Sequence, residues 1–439
     1  MNNYEFYGIA LENVFLFFVI LAFSFLLHIV VFSRRVRSVL DPYFLPVVSS
    51  VFCFTVVGLL YFTSNISTYV FCNYLLTQFT FILGFCTFSR VKFTSGSQKS
   101  LTQPRNYLIA FYFFSIVYLI SQISIYILKG IPLLMESRLE TFASGGGTGV
   151  IGRISDVSSV FSLYSFFLVI KIDKLRISEF PKYIILVLIF LTFILSGSKS
   201  TFLLVLQVFW CFIFFSKLKG WAYLGFQELL RKNIKYLLIL SLIVVTAIIS
   251  IQSSNVEPDV ENKLNPLLAL MLRFVHSGDV YWYAYPNDVY LSIPSNQWFA
   301  ALFNDTLGLL RIMDWGSLPE AVGITLKDIH HPSDIPQGPN ARHNVFGLIY
   351  YGFFGSLIFS FFIGFVISFV RNLLPKLLPS TMLGGFLFTY LICKISAFDS
   401  DPMLTITYIN NLFFIFPILY IMYLLVSECL NLIKIAHEN

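Results

Sequence analysis

Charge is what this sequence has least of. Only 12% of its 439 residues are Asp, Glu, Lys or Arg, whereas a soluble domain carries about 25%. That scarcity excludes an ordinary soluble globular protein. The six cysteines (Cys53, Cys72, Cys86, Cys211, Cys393, Cys429) all fall in or beside apolar runs. They read as small packing residues, and no disulfide framework follows. No HExxH or Cys/His spacing is present, so no metal site and no cofactor are expected. The chain also lacks a P-loop, a dinucleotide fingerprint and a nucleophile elbow, which argues against ATP-driven work. Nothing pairs its first half with its second, as a transporter's inverted halves would. The first apolar run, near residues 11–33, is too long for a cleavable signal, and its basic cluster Arg34, Arg35 and Arg37 follows it instead of preceding it.

What is abundant is hydrocarbon. Hydrophobic residues make up 57% of the chain, with 50 phenylalanines, and they come in long unbroken runs. The expectation is an all-α polytopic membrane protein, a single integral membrane domain over residues 1–439. Eleven spans are predicted, near 11–33, 44–63, 66–89, 107–128, 157–171, 183–197, 200–216, 236–252, 344–370, 380–396 and 403–427. The fifth and sixth are short.

Alternate loops are basic. If the spans alternate, 19 of the 29 Lys and Arg lie on one side. The positive-inside rule makes that side cytoplasmic, so the N-terminus is expected outside and the C-terminus inside. The net charge of +6 therefore needs no nucleic-acid partner. Two substantial loops remain outside, 129–156 and 253–343. The second holds ten acids, five Lys or Arg, and Trp282, Trp298 and Trp315. It is long enough for a cap of short helices. Its stretch "HSGDVYWYAYP" (276–286) suits rings at headgroup depth. The same rings also suit sugar faces.

The few outer cations are the candidate binding residues. In "KGIPLLMESRLETFASGGGTGVIGRISD" (129–156), Pro132 can start a short helix and the glycine run leaves N–H groups open to an anion, with Arg138 before it and Arg153 after it. A mobile loop with two solvated arginines is the plainer alternative. In "FILSGSKSTFLLV" (193–205), Lys199 lies close to hydrocarbon on both flanks. It is either a snorkelling lysine or a cation at the floor of a cavity. Arg273 and His276, three apart in "MLRFVHSGD", share a helix face. Arg342 and His343 open the ninth span, whose early turns carry Asn344, Gly347, Gly352 and Gly355. These small residues allow close packing and leave room beside His343. "FDSDPM" (398–403) places Asp399 and Asp401 in a short turn, a weak divalent-cation motif.

Four features together resemble the bacterial O-antigen polymerases of the Wzy type. They are the many spans, the outer loop "GIPLL…SRLETF…GGGTGVIGRI", the "SGSKS" turn, and the large late loop ending in "RHNVFGLIYYGFFG". The related O-antigen ligases share a histidine after a large outer loop. The resemblance implies a GT-C-like glycosyltransferase of the bacterial inner membrane, working on its periplasmic face. It would join glycan repeat units carried on undecaprenyl diphosphate, beside membrane lipids and a possible chain-length regulator. Arg138, Arg153, Lys199, Arg273 and Arg342 would hold the diphosphate, and His343, or else His276, would take the acceptor proton. The family usually has arginine at the "SGSKS" turn. Lys199 offers a point charge without the planar fork. The alternatives are a ligase that transfers glycan to lipid A core, and a lipid-linked sugar flippase or other transporter.

Overall fold

The computed structural model describes residues 1–93, 104–135, 148–169, 180–197, 199–221, 239, 274–332 and 337–438. Among these residues the chain is helical, and no strand occurs. The principal helices are α1 (Asn3–Glu12), α2 (Val14–Phe32), α3 (Phe44–Phe62), α4 (Thr68–Phe85), α5 (Pro104–Lys129), α6 (Thr148–Val169), α7 (Phe180–Leu195), α8 (Lys199–Lys219), α9 (Asp279–Ala284), α10 (His343–Ser368), α11 (Met382–Ile395), α12 (Pro402–Asn410) and α13 (Phe416–Glu438). Seven stretches are long and apolar enough to cross a membrane: Val14–Phe32, Phe44–Phe62, Thr68–Phe85, Asn106–Leu134, Thr201–Lys219, His343–Leu377 and Pro402–Ile433. The protein is thus a helical, membrane-embedded chain. The expected fifth span falls on α6, which is long but interrupted by serines. The sixth and tenth fall on the shorter apolar helices α7 and α11. The expected span at 236–252 lies outside the described residues, apart from residue 239.

Two compact units make up the fold. The first comprises Met1–Val91, Leu267–Leu374 and Lys394–Tyr408. In α2 the buried residues are Ile20, Ser24, His28 and Phe32, one per turn, and this stripe faces α3. Ser24 Oγ donates to the Val51 carbonyl at 2.9 Å. The rest of α2, including Phe15, Phe18, Phe23, Leu26 and Val30, is bare. Such a surface is stable against lipid tails and costly against water.

α10 is not one straight helix. At Gly352 the backbone takes φ +65° and ψ −169°, a conformation open to glycine alone. The chain doubles back there. His343 Nδ1 meets Ser360 Oγ at 2.9 Å. The rings of Phe346 and Phe359 stack 5.5 Å apart, and a side chain added at Gly347 would run into Ser356. The two limbs therefore form a helical hairpin with its tip at residues 351–353. The first limb runs antiparallel to α4, from His343 on Phe81 to the tip near Tyr69. The second runs parallel to α4. Gly84 touches the backbone of Phe361 and Phe365, and Gly364 that of Phe81 and Phe85, so both glycines admit a contact that any Cβ would prevent. The expected single span at 344–370 is thus a hairpin whose second limb alone is free to cross.

The stretch 276–286 differs from the expected interfacial belt. Val280 through Tyr285 are buried and belong to the core with Cys53, Val56, Val57, Tyr74 and Val345. Short helices follow through residues 286–330.

Below the hairpin, Arg371 donates both Nη groups to the Asp41 carboxylate at 2.7 and 2.8 Å. Asp41 also accepts from the backbone N–H of Arg37 and Tyr43, and these bonds hold its pKa below the usual carboxylate range despite burial. The guanidinium lies over the rings of Tyr43 and Phe85.

The second unit comprises Lys92–Pro266, Pro375–Cys393 and Ile409–Asn439. Pro132 does begin a short 3-10 turn, Pro132–Leu134. The core is aromatic, with Phe111, Phe114, Phe161, Tyr164, Phe386, Tyr390 and Phe416 all buried. α5 packs on α6 through a hydroxyl contact, Ser115 to Ser162 at 2.7 Å. Ser155, Ser158, Ser159, Ser162 and Ser165 are all buried on α6. Small hydroxyl residues permit such close approach; Ser158 donates back to the Ile154 carbonyl at 2.6 Å, and Ser155 donates across to Gln122 Oε1 at 2.8 Å.

Removing one partner of a buried bidentate pair costs roughly 3–5 kcal/mol. Arg371→Ala should therefore lower the melting temperature of the detergent-solubilised protein sharply, and Arg371→Met with Asp41→Leu should lower it less. Equal melting of the wild type and Arg371→Ala would show that the pair adds nothing.

Candidate functional site

Two polar clusters stand out, one in each unit. The first surrounds the start of the hairpin. Arg342 is 2% exposed and His343 is 1% exposed. Arg342 Nε donates to the Ser277 carbonyl at 3.2 Å, and Nη2 donates to Ser49 Oγ. Its Nη1 lies 4.0 Å from Asp399 Oδ2. Nη1 and Asp399 Oδ1 have no hydrogen-bond partner among the described residues. The His343 backbone N–H donates to the Asp399 carbonyl at 3.1 Å. Its ring stacks on Phe81, centroids 4.9 Å apart. Asn344 Oδ1 accepts from Tyr281 at 2.7 Å, and its amide donates to Thr77 Oγ1 at 2.9 Å.

This arrangement satisfies the end of a helix in an apolar interior. The first N–H groups of any helix lack partners within it. Here the Asp399 carbonyl fills one such place. Arg342 and His343 are enclosed on all sides, and the space expected beside His343 is taken up by Phe81 and Ser360. Asp399, met in the sequence as a weak metal motif, is the counter-charge of Arg342. Asp401 caps α12, accepting from the Leu404 N–H at 3.0 Å ahead of Pro402. Burial raises the Asp399 carboxyl to about 6, with Arg342 opposing the shift.

The second cluster lies in the other unit. Arg153, half-buried on the second turn of α6, donates from Nη1 to Asn411 Oδ1 at 2.8 Å. The Asn411 amide donates to Asp156 Oδ2 at 3.1 Å, and Tyr390 donates to the same oxygen at 2.6 Å. Asn411 opens a π-helical turn, Asn411–Ile415. Such turns are common at functional positions. Arg153 is therefore held by a neutral amide that is itself fixed by a carboxylate, which orients the guanidinium without neutralising it directly through that bond.

The remaining expected residues are distributed as follows. His276 is half-buried, its Nε2 2.7 Å from the Tyr7 hydroxyl. Lys199 is the first residue of α8. Arg138 and Arg273 lie outside the described residues. His276, Arg342 and His343 belong to the first unit, while Arg153 and Lys199 belong to the second. Asp156, Tyr390 and Asn411 escaped the sequence reading. Asp156 had a signal, since a carboxylate three residues after an arginine shares its helix face. Asn411 and Tyr390 had none. Among the described residues no group of three or more His, Cys, Asp or Glu could hold a metal ion. No family model, no curated protein and no solved structure matches the chain.

Asp399 binds its proton more tightly folded than unfolded, where a carboxyl titrates near 3.9. Its contribution to stability is full below about pH 4 and is lost as pH rises through about 6. Thermal stability should fall between pH 4 and 7 in the wild type, and Asp399→Asn should flatten that slope. An unchanged slope in the variant would remove Asp399 as its source.

Proposed function

We propose that this protein is a membrane glycosyltransferase of the O-antigen polymerase kind. In this reading it lengthens a glycan carried on a polyprenyl diphosphate by moving it to a sugar hydroxyl of an incoming lipid-linked repeat unit. The bond between the glycan's anomeric carbon and the diphosphate oxygen breaks. A new bond forms from that carbon to the acceptor oxygen, the hydroxyl proton passes to a base, and the lipid diphosphate leaves with the bonding electrons.

The observation that carries the reading is the oriented Arg153. It follows the glycine-rich stretch 145–149, sits on the second turn of α6, and is fixed by the Asn411–Asp156–Tyr390 chain. A preplaced cation in a low-dielectric setting stabilises charge developing on a departing diphosphate without reorganising first. Asp156, one turn away, is the base in this scheme. Arg342 and His343, enclosed as they are, serve to hold the hairpin. The substrate itself rests on the sequence resemblance, as does the inner-membrane location, and the outward-facing N-terminus rests on the distribution of Lys and Arg among the loops.

One observation favours a second reading. Helices broken within the membrane, with buried half-helix ends, are characteristic of transporters, and α10 breaks at Gly352. A lipid-linked sugar flippase would use such a break to change access.

Reconstitution in vesicles with a lipid-linked repeat unit separates these readings. The wild type should produce a ladder of longer glycans on a gel. Arg153→Gln should lower that product by about 100-fold or more, the usual loss for one transition-state donor, and Arg153→Lys should retain part of it. A normal ladder from Arg153→Gln contradicts the proposal. Movement of the repeat unit across the vesicle without lengthening favours the flippase, and transfer only onto added lipid A core favours the ligase.

A further inference from the structure

The first unit contains a cleft of about 380 Å3 at the tip of the hairpin, within the roughly 300–1,000 Å3 of small-molecule sites. Its walls come from three backbone irregularities. Tyr69 opens the first turn of α4. Tyr290 and Leu291 follow Asn287 and Asp288, which both hold positive φ, at 56° and 53°. Tyr350, Tyr351 and Gly352 end the first limb of α10. Two consecutive left-handed residues that are not glycine are costly, and here they turn the chain so that Tyr290 faces the hairpin tip. Tyr69 is 52% exposed and Leu291 70% exposed, so the mouth is open.

The chemistry of these walls is specific. Four tyrosines give flat apolar faces with hydroxyls at their edges. The end of a helix adds backbone carbonyls that have no amide ahead of them on the same axis. Flat apolar faces beside a ring of acceptors and hydroxyls match a pyranose, which carries C–H groups on its faces and O–H groups on its rim. Among the described residues no cation lines this cleft, which makes it a poor fit for an anion.

Building on the glycosyltransferase reading, we infer that this cleft binds a sugar ring of the glycan, apart from the residues that handle the diphosphate. Tyr69 forms one face, Tyr290 and Tyr350 flank the ring, and the final carbonyls of the half-helix receive its hydroxyls. Trp298, whose ring centre lies 5.7 Å from that of Tyr351, stands next to the cleft as a reporter.

The test uses the full-length protein in detergent and the repeat-unit oligosaccharide of the producing strain, freed from its lipid diphosphate by mild acid. Saturation-transfer NMR reads contact with the sugar, and tryptophan fluorescence reads affinity. The wild type should bind. Tyr69→Ala should weaken binding at least ten-fold, and Tyr69→Trp, which keeps a ring, should bind nearly as the wild type does. Leu291→Glu, at the exposed rim, gives a second disruption should Tyr69→Ala fail to fold. Arg153→Gln should bind this free oligosaccharide normally. Absence of saturation transfer overturns the inference, as does equal binding by Tyr69→Ala and Leu291→Glu. A Tyr69-dependent response to choline with none to the oligosaccharide also overturns it and marks a cation cage instead. If the sugar binds through Tyr69 while Arg153→Gln still lengthens glycans, the cleft stands and the assignment of Arg153 falls. If Arg153→Gln abolishes lengthening while the cleft variants bind and extend normally, the cleft alone falls.

Discussion

In a lipid interior every backbone N–H and every charge must find its partner within the protein. The demand is acute at the start of α10, where His343 is buried and the first N–H groups have no partner within the helix. The triplet Arg342-His343-Asn344 is how the demand is met. The His343 N–H goes to the Asp399 carbonyl, its ring to Ser360 and Phe81, and Asn344 to Tyr281 and Thr77. Arg342 then ties that end to Ser49, to the Ser277 carbonyl and to Asp399. One buried arginine thus joins α3, the start of the cap, the hairpin and the turn before α12. The first unit's architecture follows from that junction.

Enclosure also separates two kinds of cation that look alike in sequence. Arg342 and Arg371 face carboxylates, Asp399 and Asp41, in the protein's interior. Arg153 faces an amide and is half-buried. Enclosure leaves Arg342 no face open to a ligand, whereas the half-buried Arg153 keeps part of its surface exposed. On this ground the proposed substrate chemistry belongs with Arg153 and not with the more conspicuous Arg-His pair.

Much of the helical architecture was legible. Unbroken apolar runs dictate helices of spanning length, and α2, α3, α4 and α8 lie close to where hydrophobicity puts them. Pro132 announced its short turn. The hairpin was not legible, because a run such as "VFGLIYYGFFGSLIF" has the same apolar content whether it continues or folds back. Only Gly352 hinted at it, and glycine is common in membrane helices. The tyrosines at 281–285 satisfy an interfacial pattern and a core pattern equally well, and tertiary contacts chose the core. The pairing of Asp41 with Arg371, like that of Arg153 with Asn411, joins residues far apart in the chain, which no local spacing encodes. The outward reading of Arg342 assumed that a charge next to an apolar run stays at its edge. A counter-charge at Asp399 removes that constraint.

The doubling back of α10 is the claim on which this account turns, and a cross-link tests it most directly. A Cβ on residue 347 falls 2.9 Å from that of Ser356, and a disulfide joins Cβ atoms about 3.8 Å apart, so the two limbs need to part by only about 1 Å. In a straight helix the same two positions, nine residues apart, stand about 13 Å apart along the axis. Gly347→Cys combined with Ser356→Cys, oxidised in native membranes and mapped by mass spectrometry, should give a disulfide within the chain between these two residues. If both thiols stay free while the protein remains folded, α10 is a straight span, and the buried junction around Arg342 does not exist.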